Sequence, residues 1–157
     1  MLKLTPQQVA HVAQLSDQTL RHWRKALPPL HGLNGYHPCF SPGDVLALLV
    51  IRHLVKNMGI NVGTLASASV GLFALCRNTS WPHLTDQRLF VQVEQGGVSI
   101  LTRDLEPDQP AIYVPMRAFA EQLQAAWADS FPSTDQLLLQ FPPAAVTRPH
   151  RARVVRA

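Results

Sequence analysis

The chain has 157 residues, 46% of them apolar, and a formal charge of +4 with a pI near 9.6, which fits one ordinary domain with a modest leaning towards anionic partners and excludes wholesale disorder. No apolar run reaches the ~20 residues of a membrane span, "MLKLTPQQ" lacks the apolar core of a signal peptide, and two cysteines make no disulfide framework, so a cytoplasmic protein is expected. Residues 1–58 hold six Lys or Arg against two acids, residues 59–144 four Arg against eight acids, and residues 145–157 four Arg against none. The N-terminal third, with five of the seven histidines, and the tail are therefore the parts expected to face anions.

In chain order, Thr5-Pro6-Gln7-Gln8 has the form of a helix start, with Thr5 as cap, Pro6 in the first turn and Gln8 as capping-box partner. Val9, Val12 and Ala13 supply its apolar stripe. After a break at Gln14-Leu15, Ser16 caps a second helix in which Leu20, Trp23 and Leu27 form one buried stripe. Gln18, Arg21, His22 and Lys25 turn outwards from it, and Pro28 ends it. Two short helices joined in this way predict a helix-turn-helix. Asn34-Gly35 then signals a tight turn within a small hairpin over residues 30–40.

Ser41-Pro42-Gly43-Asp44 begins a third, largely apolar helix over about 42–58, with Arg52 and Lys56 on one face and a small-residue helix at about 63–77 beside it. Beyond Asn78 the pattern changes. Strands at 89–94 and 98–103 flank Gly96-Gly97, a third strand lies at 111–114, and a helix follows near 116–129. Four prolines between 132 and 149 mark an open tail, in which Leu137-Leu138-Leu139 suits a short strand or a docked segment. The fold class expected is mainly α, with a small α+β hairpin-strand-helix part after the first four helices.

Leu15-Ser16-Asp17-Gln18-Thr19-Leu20-Arg21-His22-Trp23, with Gly35-Tyr36 and Phe40-Ser41-Pro42-Gly43-Asp44, resembles the DNA-binding domain of the MerR family, a winged helix-turn-helix, over roughly residues 4–66. The resemblance implies a recognition helix at about 16–27 and a wing at 30–40. It places Thr19 and Arg21 where that family meets DNA and Tyr36 near the DNA backbone. Two features depart from the family: the arginine that usually follows the wing tyrosine is replaced by His37-Pro38-Cys39, and the long dimerisation helix is missing. The promoter-untwisting mechanism that depends on that helix is therefore not expected here.

The domain organisation expected is a MerR-like DNA-binding domain at 1–78, a dimerisation or effector part at 79–131 and a Pro/Arg-rich tail at 132–157. Gln18, Thr19 and Arg21 are the candidate base readers. His22, Arg24, Lys25, Asn34, Tyr36, Arg52 and Lys56 are the candidates for the DNA backbone. The function expected is a sequence-specific transcriptional regulator binding double-stranded DNA as a homodimer on a palindrome. An excisionase-like architectural protein and a winged protein-docking module are the alternatives.

The basic helix face also reads as a merely solvated one. The tail reads equally as an arm along DNA or as a solubilising end. His31, His37 and Cys39 invite a metal, but no paired Cys-x-x-Cys site accompanies them and basic-module histidines commonly meet phosphates, so no metal or cofactor is expected. Trp81, Phe90, Tyr113, Phe119 and Trp127 suit a ligand pocket or, more simply, the core of a small domain. No nucleophile with a base and no phosphate-binding glycine loop is present, so an enzyme is not expected.

Overall fold

Side-chain caps set the first two helices. Thr5 Oγ1 accepts the Gln8 N–H while Gln8 Oε1 accepts the Thr5 N–H, a reciprocal box that starts α1 (Pro6–Val12). The turn after it is a Schellman motif. Gln14 takes the left-handed conformation (φ 51°), its N–H donates to the His11 carbonyl, and the Leu15 N–H donates to that of Ala10. Ser16 Oγ then accepts the Thr19 N–H and starts α2 (Asp17–Ala26). Leu20, Trp23 and Leu27 are buried, as their spacing predicts. Pro28 diverts the chain into a one-turn 3-10 helix, Pro28–Leu30.

In the computed structural model, which describes residues 3–94, 97–101 and 109–130, the small hairpin expected over 30–40 is not formed. Residues 31–39 are an irregular loop, and Phe40 pairs instead with Leu4, exchanging N–H···O bonds of 2.8 and 3.1 Å. The physical reason is burial. Pairing at this point brings Leu4 into the core beside the buried Phe40, a burial that a hairpin closed within residues 30–40 would not give Leu4. Pro38, without an N–H, would also interrupt a ladder. Gly35 at the loop tip has φ 95°, a conformation that suits glycine.

Ser41 and Asp44 form a second capping box at the start of α3 (Pro42–Lys56). This helix is buried on nearly every side from Gly43 to Ile51, the mark of a central core helix. Alongside runs α4 (Ala66–Asn78), close enough that a Cβ on Gly43 would stand 2.4 Å from the Cys76 carbonyl oxygen. Arg77 closes this junction, its Nε 2.6 Å from Asp44 Oδ1 and its Nη2 donating to the Pro29 carbonyl at 3.1 Å.

A short helix, α5 (Trp81–Thr85), precedes the sheet; its five residues are too few for a helical period to show in the sequence. The strands β1 (Arg88–Glu94), β2 (Gly97–Leu101) and β3 (Ile112–Pro115) form one antiparallel sheet in the order β2-β1-β3, and Glu94 pairs with Gly97 at the hairpin end. α6 (Met116–Ser130) follows directly.

Leu89, Val91 and Val114 from the sheet and Met116, Phe119 and Leu123 from α6 join the same hydrophobic core as α1–α4. α6 packs on α3 and α1, with the Phe119 ring edge-on to His53 at 5.5 Å. The expected division at residue 78 therefore marks a change of composition inside one shared core. The architecture of the described residues is mainly α, and none of their helices is long and apolar enough to cross a membrane. Leu137–Leu139 and the Arg-rich end lie outside the described residues.

Candidate nucleic-acid interface

At 100° per residue, burying Leu20 and Trp23 turns Asp17, Gln18, Arg21, His22 and Lys25 to the solvent side of α2, and all five are exposed. One flank of this face opens into a groove of about 580 Å³ between α2, the start of α1 and the loop tip. Arg21, Arg24, Lys25, Asn34 and Tyr36 line it together with Gln7 and Asp17. Tyr36 stands 89% exposed at its rim. Five of the ten expected site residues thus meet around one concave, mainly cationic surface. Gln18 and His22 lie on the same outward face, beyond the groove's edge.

Other expected residues are placed differently. Arg24 is engaged within the protein: its Nη2 donates to the Leu33 carbonyl and its guanidinium lies 5.9 Å from the centre of the Phe40 ring. It fastens the loop to α2 in place of the backbone pairs that a hairpin would have supplied. Thr19 is half-buried, its hydroxyl 2.7 Å from Ser16 Oγ, and it sits about 200° around the helix from Arg21. It belongs to the cap of α2. Arg52 is half-buried and its Nη2 donates to Gln14 Oε1 at 3.0 Å, so it braces the α1–α2 turn. Lys56 is exposed at the end of α3, apart from the groove.

His31 Nε2 lies 2.9 Å from the Lys25 carbonyl, and Asn34 Nδ2 donates to the His31 carbonyl. These contacts continue what Arg24 begins, supporting a loop that has no ladder of its own. Among the described residues no three His, Cys, Asp or Glu side chains form a metal-binding group. Burial raises the Cys39 thiol pKa against the lowering pull of Arg24 and Lys3. Cys76 is pushed up to about 12, by burial first and Asp44 second, so it packs as a neutral thiol.

Asp17 and Gln7 were not among the residues expected at this surface. Asp17 had a readable signal, its place one turn before Arg21; Gln7 joins the groove only through the packing of α1 on α2.

The loop anchor gives a direct expectation. Arg24→Lys keeps the charge but loses the planar fork that serves Leu33 and lies over Phe40, and a hydrogen bond from a charged group contributes about 1.5–3 kcal/mol. Urea unfolding should show a loss of about 1.5 kcal/mol, and amide exchange should accelerate in residues 31–37 while α3 stays protected. Unchanged exchange in the loop would show that Arg24 does not hold it.

No protein-family model matches the chain, and neither does any curated protein.

Proposed function

We propose that this protein is a sequence-specific DNA-binding transcription regulator of the MerR-like winged helix-turn-helix kind, with α2 as the helix that enters the major groove. The observation that carries the reading is the outward face of α2. The side chains of Gln18, Arg21, His22 and Lys25 stand exposed there without hydrogen-bond or ion-pair partners among the described residues, beside the exposed Tyr36. A helix fits the ~12 Å major groove, where Arg and Gln make paired hydrogen bonds to base edges. Lys25 and Tyr36 at the margin suit phosphates, which position a protein without reading sequence. Loop 31–39 takes the wing's place, and two copies about a two-fold axis would set two α2 helices on a palindromic site.

One observation favours a second reading. α6 has 15 residues and buries Met116, Phe119 and Leu123 in the shared core, instead of projecting as a dimerisation helix. An excisionase-like architectural protein, loading side by side on adjacent sites, needs no such helix.

Selection of bound fragments from sheared genomic DNA separates the two, with Arg21→Ala/Lys25→Ala as control. An inverted repeat recovered by the parent and lost by the variant supports the regulator, and several adjacent direct sites support the architectural role. Uniform recovery by both proteins sinks sequence reading. On the recovered site, Arg21→Ala alone should cost about 1–3 kcal/mol of binding and blur one base position.

A further inference from the structure

Asp17 is the one acid on an otherwise cationic face. It is exposed, lines the groove with Arg21 and Lys25, and forms no ion pair among the described residues, whose pairs are Arg77–Asp44 and Arg117–Asp86. The side-chain cap of α2 does not use it, because Ser16 Oγ accepts the Thr19 N–H; Asp17 adds to the helix start only the favourable charge of an acid in the first turn. A carboxylate here repels phosphates, so it weakens a surface that only holds the DNA backbone. It suits a surface whose first turn reaches past the phosphates to the base edges, which is where the N-terminal residues of a recognition helix lie.

The major-groove edge offers a carboxylate two donors, the amino groups of cytosine and adenine. Adenine presents its amino group beside the N7 acceptor, which repels a carboxylate, whereas cytosine presents a donor without that neighbour. Four residues along α2, Asp17 and Arg21 lie about 40° apart around the axis and roughly 6 Å apart along it. That spacing corresponds to about two steps of the ~3.4 Å base-pair rise.

We propose that Asp17 is a specificity-determining residue that accepts a hydrogen bond from the N4 amino group of a cytosine, about two base pairs from the base read by Arg21. The proposal rests on α2 being the recognition helix. In that role the acid excludes sites that lack cytosine at this position, at the expense of general affinity.

The experiment is binding-site selection from randomised duplexes by the full chain, by Asp17→Ala and by Asp17→Asn, with thermal unfolding of each. The parent should select a motif with one cytosine preferred about ten-fold, the discrimination that one good base contact supplies. Asp17→Ala should lose the preference at that position alone, and Asp17→Asn should turn it towards adenine, since an asparagine amide pairs with adenine N6 and N7. If the parent selects a motif and both variants return it unchanged, binding every duplex more tightly, Asp17 only weakens phosphate contact and the proposal is overturned while the DNA-reading function stands. A parent that selects no motif overturns both. Unfolding midpoints within about 4 °C of the parent's, no more than the loss of the first-turn charge allows, show that any change in the motif comes from contact and not from loss of the helix.

Discussion

Asp44→Ala is expected to destabilise the protein by about 3–5 kcal/mol, since it removes the capping-box carboxylate of α3, worth about 1–2 kcal/mol, together with the charge-assisted bond to Arg77, worth about 1.5–3 kcal/mol. The Asp44 side chain is 3% exposed. Its Oδ2 accepts from the Ser41 N–H and hydroxyl, each at 2.7 Å, and its Oδ1 accepts from Arg77 Nε at 2.6 Å. Arg77 is 36% exposed, and a pair between two surface groups would contribute at most about 1 kcal/mol. The buried carboxylate decides the case, because alanine at 44 leaves the buried Ser41 donors without a partner, while the part-exposed guanidinium keeps Pro29 and turns to water.

Arg77→Ala should cost less, about 2 kcal/mol, since Ser41 continues to donate to the carboxylate while the charge-assisted bonds to Asp44 and Pro29 and the guanidinium's contact with the Phe73 ring are lost. Urea unfolding of both variants and the double variant measures the coupling. A loss below about 1 kcal/mol in Asp44→Ala would show the pair to be incidental. Arg77 also bonds the Pro29 carbonyl between α2 and the loop, so both variants should loosen the groove before the chain unfolds.

Gly43→Ala is the second large effect. The added methyl would stand 2.4 Å from the Cys76 carbonyl oxygen, 2.8 Å from its carbon and 3.1 Å from the Arg77 Cα. These are backbone atoms of α4, which cannot swing aside as a side chain tip can. Relief requires moving α4 away from α3, which would stretch the Asp44–Arg77 pair as well. Overpacking costs about 1–3 kcal/mol or more, against a helix-propensity gain of at most ~1 kcal/mol for replacing glycine. The net expectation is a loss of about 2–3 kcal/mol, a fall of roughly 4–12 °C in Tm for a chain of this size. Gly71→Ala is the matched control in α4, where a Cβ meets nothing within 4 Å. It should raise Tm slightly. An unchanged Tm for Gly43→Ala would mean that α3 and α4 part at little cost.

The helix starts were legible because capping is local. Thr5 and Gln8, Ser16 and Thr19, and Ser41 and Asp44 lie three residues apart, and each makes the bond that its spacing predicts. The stripe of Leu20, Trp23 and Leu27 likewise determined which side of α2 faces out, and with it the exposure of Gln18, Arg21, His22 and Lys25. The hairpin, third strand and last helix followed from turn signals and alternation.

What the sequence could not determine is what each polar side chain is used for, because those partners come from distant elements. Arg24 and Arg21 look alike in the sequence, yet the first is bound to Leu33 and lies over Phe40 while the side chain of the second is exposed and makes no hydrogen bond or ion pair among the described residues. Arg52 reads as half of a cationic pair and is instead tied to Gln14, 38 residues away. Asn34-Gly35 signals a turn, but Leu4 takes the pairing of Phe40 because burying Leu4 beside Phe40 outweighs a local hairpin. Local hydrogen bonding and periodicity act over a few residues and are written in the order of the chain. The assignment of a charge to the core, to a loop or to a partner is settled by which surfaces the core brings together, and only the tertiary structure decides that.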